Sequence, residues 1–245
     1  MRITLVFLLA AASWAQPPAT LPPQPTPPPL VQAARMINDY GNRLRYAADN
    51  QKVQPPAAGE DRVVFMGDSI TDNWGRPNYG AFFPGKPYIN RGISGQVTPQ
   101  MLLRFFPDVI ALKPKVVVIH AGTNDIGGNV GPMTLEDTES YLASMCDMAR
   151  ANNIKVVLAA LTPVCDYHRL QTAARPPEKI SALNRWIKEY AAKNGFVYLD
   201  YFSATVDDKG FFKAELTGDG LHPNAAGYQI MGPLAEKAIS QALAK

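Results

Sequence analysis

Histidine and cysteine are scarce in this chain, with three of the former and two of the latter in 245 residues. No cluster of them has zinc-ligand spacing, which excludes a zinc finger or ribbon. Cys146 and Cys165 could form one bridge at most, so a disulfide-framed scaffold is excluded as well. We favour two unbridged thiols, because Cys146 falls on an apolar stripe with Leu142, Met145 and Ala149, whereas Cys165 lies in a loop. There is no run of like charge. The 24 basic and 21 acidic residues are scattered and leave a net charge of +3, so no nucleic-acid partner is expected. No apolar stretch reaches the roughly 20 residues that a membrane-spanning helix needs. The string Gly-x-Ser-x-Gly, which would mark one common type of serine elbow, does not occur. No internal repeat is visible.

The first residues differ from the rest. Arg2 is followed by the apolar run Ile3–Ala12 and then Ser13-Trp14-Ala15, the three-part order of a secretory signal peptide cut after about Ala15. No cysteine near the cut offers a lipid anchor. The expectation is an exported protein, periplasmic or extracellular, with no stable membrane insertion after cleavage. Residues 16–30 hold eight prolines and read as an extended linker. Residues 31–58 read as an N-terminal helical segment, with apolar positions Val31, Ala34, Ile37, Leu44 and Ala47 spanning about Leu30 to Asn50. The main domain is expected over 59–245.

With 47% hydrophobic residues, that domain can fill a core. Short β-branched runs alternate with longer amphipathic segments from residue 62 onward. The runs are Arg62–Met66, Pro87–Asn90, Lys115–His120, Ile154–Leu161 and Phe196–Leu199. Helices are expected over about 98–112, 134–152, 177–193 and 223–243, with Thr134 and Asn224 as caps. Pro107 should break or kink the first. Runs apolar on both faces are typical of buried parallel strands. The pattern predicts an α/β fold: a three-layer αβα sandwich with a five-stranded parallel sheet, flavodoxin-like in order. In such folds, ligands bind beyond the carboxyl ends of the strands.

The segments just past these runs are therefore where chemistry is expected. Gly67-Asp68-Ser69 comes after the first, and it could be a reactive serine at a helix start or a capping serine. Gly92-Ile93-Ser94-Gly95 comes after the second, and alone it is an ordinary turn. Gly122-Thr123-Asn124-Asp125 comes after the third, with Asn124 either an amide donor or an Asx turn. Asp219-Gly220-Leu221-His222 lies after the fifth. In a tight turn Asp219 could reach one ring nitrogen of His222 and leave the other free. His120 ends an apolar strand and reads as structural; His168 sits in a polar loop beside Tyr167.

Taken together and in this order, the blocks resemble those of the SGNH/GDSL hydrolases, over about residues 60–242. The resemblance is closest to the branch similar to platelet-activating-factor acetylhydrolase catalytic subunits and small bacterial esterases. It implies a serine esterase with Ser69 as nucleophile, His222 as base and Asp219 as its orienter. The Ser69 and Gly95 N–H groups and the Asn124 side chain would form the oxyanion hole. It implies no metal and no organic cofactor, and a small-molecule or carbohydrate ester as substrate. A zinc-dependent deacetylase using Asp125, His168 and His222 is a rival, as is a non-catalytic carbohydrate-binding module. Within the family, a lysophospholipase or arylesterase is the alternative. The loops 71–86, 126–133 and 162–178 could roof the crevice, carrying Trp74, Tyr79, Phe82, Phe83, Pro84, Tyr167 and His168 among polar residues. None resembles a hinged amphipathic lid, so short acyl groups, acetyl first, are expected.

Overall fold

The computed structural model describes residue 34 and residues 37–245. The signal segment 1–15 and the linker 16–30 lie outside the described residues, as does most of the stretch up to 36. The strands are β1 (Val63–Gly67), β2 (Tyr88–Gly92), β3 (Val116–His120), β4 (Lys155–Ala159) and β5 (Val197–Leu199). The helices in chain order are α1 (Ala47–Lys52), α2 (Ser69–Asn73), α3 (Thr98–Asp108) and α4 (Thr123–Ile126). They continue with α5 (Leu135–Ala151), α6 (Pro177–Asn194), α7 (Tyr201–Thr205) and α8 (Ala225–Leu243).

The five strands form one parallel sheet in the order β2-β1-β3-β4-β5, the flavodoxin-like order expected from the alternation. Alternate residues of a strand face opposite sides, so a double-faced sheet needs apolar residues at every position. β1 and β3 meet that demand and are buried throughout. On one face Val64 and Met66 of β1 pack with Met101 and Phe105 of α3, Leu142, Met145 and Cys146 of α5, and Leu183 of α6. On the other, Val63 and Phe65 pack with Tyr228, Met231, Ala235 and Ile239 of α8. Cys146 and Cys165 are both buried and unbridged, and burial pushes the Cys146 thiol up to about 12.

The caps fall where the residue types suggest. Thr134 and Asp137 form a reciprocal capping box at α5, and Asn224 Oδ1 accepts from Gly227 N–H at α8 (3.1 Å). The helix over 98–112 stops at Asp108, one residue past Pro107, and resumes as a 3-10 turn over Ile110–Leu112.

Two expectations need correction. The helix over Leu30–Asn50 is not continuous: residues 39–41 and 43–46 are turns, and only α1 comes after them. Asn42 has a φ of 50°, which a helix does not accommodate. The segment is instead tied to the domain by Tyr46, whose hydroxyl donates to Gly92 O and whose ring lies 4.7 Å from the Arg91 guanidinium. Trp74 and Phe83 do not roof the crevice. They are buried in the α8-side core, where Trp74 meets Phe65 edge-on and lies tilted against Tyr228 with ring centroids 4.9 Å apart. Aromatic loop residues find more apolar area to bury beneath the loop than above it.

Gly92 marks where β2 meets α2 most closely. A Cβ there would stand 2.2 Å from Asp72 N, a backbone atom that cannot move alone. Gly92→Ala should therefore destabilise the fold by about 1–3 kcal/mol. A denaturation midpoint equal to wild type would show that the contact relaxes freely.

Candidate active site

The carboxyl end of β1 delivers Ser69 as the first residue of α2. Asp68 caps this helix, its carboxylate accepting from Ile70 N–H at 2.9 Å. Tyr228 Oη donates to Ile70 O (2.6 Å), and Asn90 donates to Thr71 O (2.6 Å), so the short helix is held from α8 and from β2. Ser69 is 7% exposed.

The turn before α8 delivers the imidazole. Gly220 has a φ of 83°, and a Cβ on it would stand 2.1 Å from Cys165 O, so the turn requires glycine. This fold of the chain points Asp219 Oδ1 at the Leu221 and His222 N–H groups (2.9 and 2.8 Å). Asp219 Oδ2 lies 2.7 Å from His222 Nδ1, and His222 Nε2 lies 2.8 Å from Ser69 Oγ. Burial raises the Asp219 carboxyl. The bonds from the His222 ring and from the His222 and Leu221 N–H groups outweigh it and hold the group well below the ordinary carboxylate range. Asp68, wholly buried beside Ser69, is pushed up to about 6 by burial despite its Ile70 bond.

The third and fourth elements are the β2–α3 and β3–α4 loops. Gly95 has a φ of 80° and faces solvent. Neither its N–H nor that of Ser69 donates to another described residue. Asn124 is buried in α4; its amide nitrogen donates to Gln96 O at 3.0 Å, and its oxygen accepts from Arg175 Nη2 at 3.2 Å. The structure thus gathers Ser69, Asp219 and His222 into one hydrogen-bonded chain and places Asn124 on the Gln96 peptide beside Gly95.

The remaining candidates stand apart. Asp125 caps α3, accepting from Thr98 N–H at 3.0 Å. His168 is exposed, with its ring against Ala214 O at 3.0 Å. His120 is buried edge-on to Tyr201, and burial lowers its imidazole to about 4. Among the described residues no three His, Cys, Asp or Glu side chains gather as a metal site would need, so the zinc grouping of Asp125, His168 and His222 is not formed.

Several polar side chains that local pattern does not single out hold the site together. Asp72 accepts from Ser94 N–H and Oγ, at 3.1 and 2.6 Å, and so fixes the loop before Gly95 to the helix of Ser69. Arg104, fully buried, donates to Gln96 Oε1, Arg91 O and Gly67 O, and pairs with Asp108. Gln171 donates to Asp219 O at 3.1 Å.

One cleft borders His222 and a second borders Gly95. The first, about 380 Å³, is lined by Asn78, Tyr79, Gly218, Asp219, His222 and Asn224. The other, about 750 Å³, runs past Gly95 between Asn129–Val130 and the 38–44 segment, and includes Leu44 and Ile93.

The parallel α/β sheet thus carries a hydroxyl–imidazole–carboxylate chain beyond its strand ends. The sequence model of the GDSL-like lipase/acylhydrolase family matches residues 65–230. Among solved structures the chain is similar to a GDSL-like lipase of Bacteroides thetaiotaomicron, at 41% identity and a TM-score of 0.75, covering 83% of this chain and 99% of that one. It is also similar to Axe2, an acetylxylan esterase of Geobacillus stearothermophilus, at 25% identity and a TM-score of 0.59, covering 77% and 96%. The esterase TesA of Pseudomonas aeruginosa is 29% identical over 56% of this chain and 62% of its own length. The chain belongs to the GDSL-like lipase/acylhydrolase family, and it is a carboxylic ester hydrolase.

Proposed function

We propose that this protein removes short acyl groups, acetyl first, from carbohydrate esters through an acyl-serine intermediate. The observation that carries the reading is the unbroken chain Asp219–His222–Ser69, with contacts of 2.7 and 2.8 Å. Ser69 Oγ attacks the ester carbonyl while His222 Nε2 takes its proton. The carbonyl oxygen, now negative, lies on the Ser69 and Gly95 N–H groups and the Asn124 amide. The C–O bond to the alcohol breaks, and His222 returns the proton to the departing oxygen. Water then gives a proton to His222 and its oxygen to the acyl carbon, the bond from that carbon to Ser69 Oγ breaks, and His222 passes the proton to Oγ, releasing the acid and restoring Ser69.

The leaving oxygen must lie near His222 Nε2, which puts the alcohol in the cleft lined by Asn78, Tyr79 and Asn224. Amide groups around one aromatic ring suit a sugar: hydroxyls bond to amides, and the ring's apolar face lies on tyrosine. The similarity to acetylxylan esterases supports the same substrate class. An export signal at 1–15 would bring the enzyme to such polysaccharides.

A second reading has its own observation. Leu44, Ile93 and Val130 lend the larger cleft an apolar side that a longer acyl chain could use. Each buried CH₂ would contribute about 0.8 kcal/mol. The p-nitrophenyl esters from acetate to palmitate separate the two. With a short-acyl site, kcat/KM peaks at two to four carbons and falls steeply by eight. A maximum at eight carbons or beyond, or a rate jump once the substrate forms an interface, overturns the acetyl assignment in favour of lipid esters. Acetylated xylo-oligosaccharides, with a Ser69→Ala blank, then test the alcohol.

A further inference from the structure

Four arginines are buried among the described residues: Arg62, Arg91, Arg104 and Arg175. Arg104 pairs with Asp108 and Arg62 with Glu60, while Arg91 lies over the Tyr46 ring. Arg175, 8% exposed, has neither kind of partner. None of the ion pairs among the described residues includes it. Its hydrogen bonds all go to neutral amides: Asn124 Oδ1 at 3.2 Å, Gln171 Oε1 at 3.4 Å and Asn129 Oδ1 at 3.5 Å. Its Nε–H is buried and has no partner among the described residues. Burial works against the charge, while Asp68 and Asp219 support it from farther away. Guanidinium nonetheless stays protonated in proteins.

A buried charge is normally neutralised in place, because desolvation costs several kcal/mol. Here the charge is left open, and the chain makes room for it. Gly127 follows α4 with an ordinary helical φ of −70°, yet a Cβ on it would stand 2.8 Å from Arg175 Nη2. A side chain at 127 would thus oblige the guanidinium to shift, while the backbone itself accepts any residue.

The contact with Asn124 has a directional consequence. An amide offers an acceptor at one end and donors at the other. Arg175 has only donors, so it fixes the oxygen of Asn124 toward itself and the NH₂ toward Gln96 O and the crevice. A cation on the amide oxygen also strengthens the N–H as a donor through polarisation.

We propose that Arg175 is a positioning residue for the oxyanion site, orienting and polarising the Asn124 amide with a charge that no carboxylate pairs directly. The inference rests on the proposed acyl-serine reading. Gln171, bonded to both Arg175 and the main-chain oxygen of Asp219, links this device to the turn that holds His222.

The test is a double-mutant cycle on p-nitrophenyl acetate with Arg175→Ala, Asn124→Ala and the pair. Asn124→Ala should lower kcat about 10²–10³-fold, the usual effect of removing one oxyanion donor. Arg175→Ala should lower kcat about 10–100-fold with KM changed less than about threefold, because the loss is felt only when charge develops. In the Asn124→Ala background the same substitution should cost less than about threefold. Added guanidinium ion at millimolar levels should restore part of kcat to Arg175→Ala and none to the double variant. Gly127→Ala, which keeps the charge and displaces it, should fall between wild type and Arg175→Ala, and it serves should Arg175→Ala fail to fold. Effects that multiply across the cycle, or a change confined to KM, would reduce Arg175 to a loop staple and overturn the proposal. Wild-type kcat in Asn124→Ala would instead sink the oxyanion assignment itself, and activity in Ser69→Ala would sink the acyl-serine reading, so the failures are distinguishable.

Discussion

Ser69→Ala is expected to lower kcat by about 10⁴–10⁶ and to leave the fold intact. The change removes one oxygen from a side chain that makes a single hydrogen bond, to His222 Nε2, so little structure depends on it. α2 keeps its cap because the capping carboxylate belongs to Asp68. What disappears is the proposed nucleophile. His222 and the three proposed oxyanion donors remain and can only assist water, which accounts for a residual rate above background of about 10³–10⁴. Steady-state turnover of p-nitrophenyl acetate, with a thermal midpoint measured beside it, checks both halves. More than a tenth of wild-type activity in a folded variant would show that another group attacks the ester. Labelling by a fluorophosphonate, present in wild type and lost in Ser69→Ala, would independently place the acyl group.

The parts of this molecule that can be read from its sequence are those governed by local pattern. Buried parallel strands need apolar residues on both faces, and the apolar runs Val63–Met66 and Val116–Ile119 supply them. Loops at the strand ends are then where ligands are expected, which makes Ser69, Asn124, Asp219 and His222 candidates, and the resemblance of the blocks taken together supplies their expected roles. The Asp219–His222 contact spans three residues, short enough for a turn to dictate. The supports are not legible in this way. Arg175 reaches Asn124 across 51 positions, and Arg104 reaches Gly67 across 37. In a sequence a buried arginine looks like a surface arginine, because hydrophobic periodicity carries no sign of which polar groups are desolvated together. The same limit explains Trp74 and Phe83. Their loop placement is evident, but whether an aromatic loop residue turns inward depends on what α8 offers, through Tyr228, from the far end of the chain. The N-terminal segment departs from its pattern for a different reason. Its apolar spacing is helical, and one residue, Asn42 at positive φ, overrides it once Tyr46 has a docking point on β2.

Asp219→Asn should be as damaging as any change at the site short of removing Ser69, with kcat down by about 10⁴, and it should do more harm than Asp219→Ala. The reason lies in how the carboxylate is divided. Oδ1 accepts two backbone N–H groups, from Leu221 and His222. An asparagine must present its oxygen there, since an NH₂ facing two donors would leave all three groups unsatisfied. Its NH₂ is then fixed at the Oδ2 position, 2.7 Å from His222 Nδ1 in the parent protein. Nδ1 has to accept, so the ring proton moves to Nε2, the atom that must be bare to take the proton of Ser69. The substitution therefore keeps the shape of the site and inverts its proton order. Alanine imposes no such order; it frees Nδ1, and the ring can still adopt the productive tautomer for part of the time. Because the native carboxyl is held well below its ordinary range, it is ionised throughout the range in which the enzyme would be assayed, and it also supports the imidazolium formed during attack. The loss in both variants should appear in kcat, with KM for p-nitrophenyl acetate little changed. Proton NMR of the ring, labelled in its nitrogens, would report Nδ1 protonated in wild type and Nε2 protonated in Asp219→Asn. An asparagine variant more active than the alanine one would show that the carboxylate acts by holding the turn and not by fixing the tautomer.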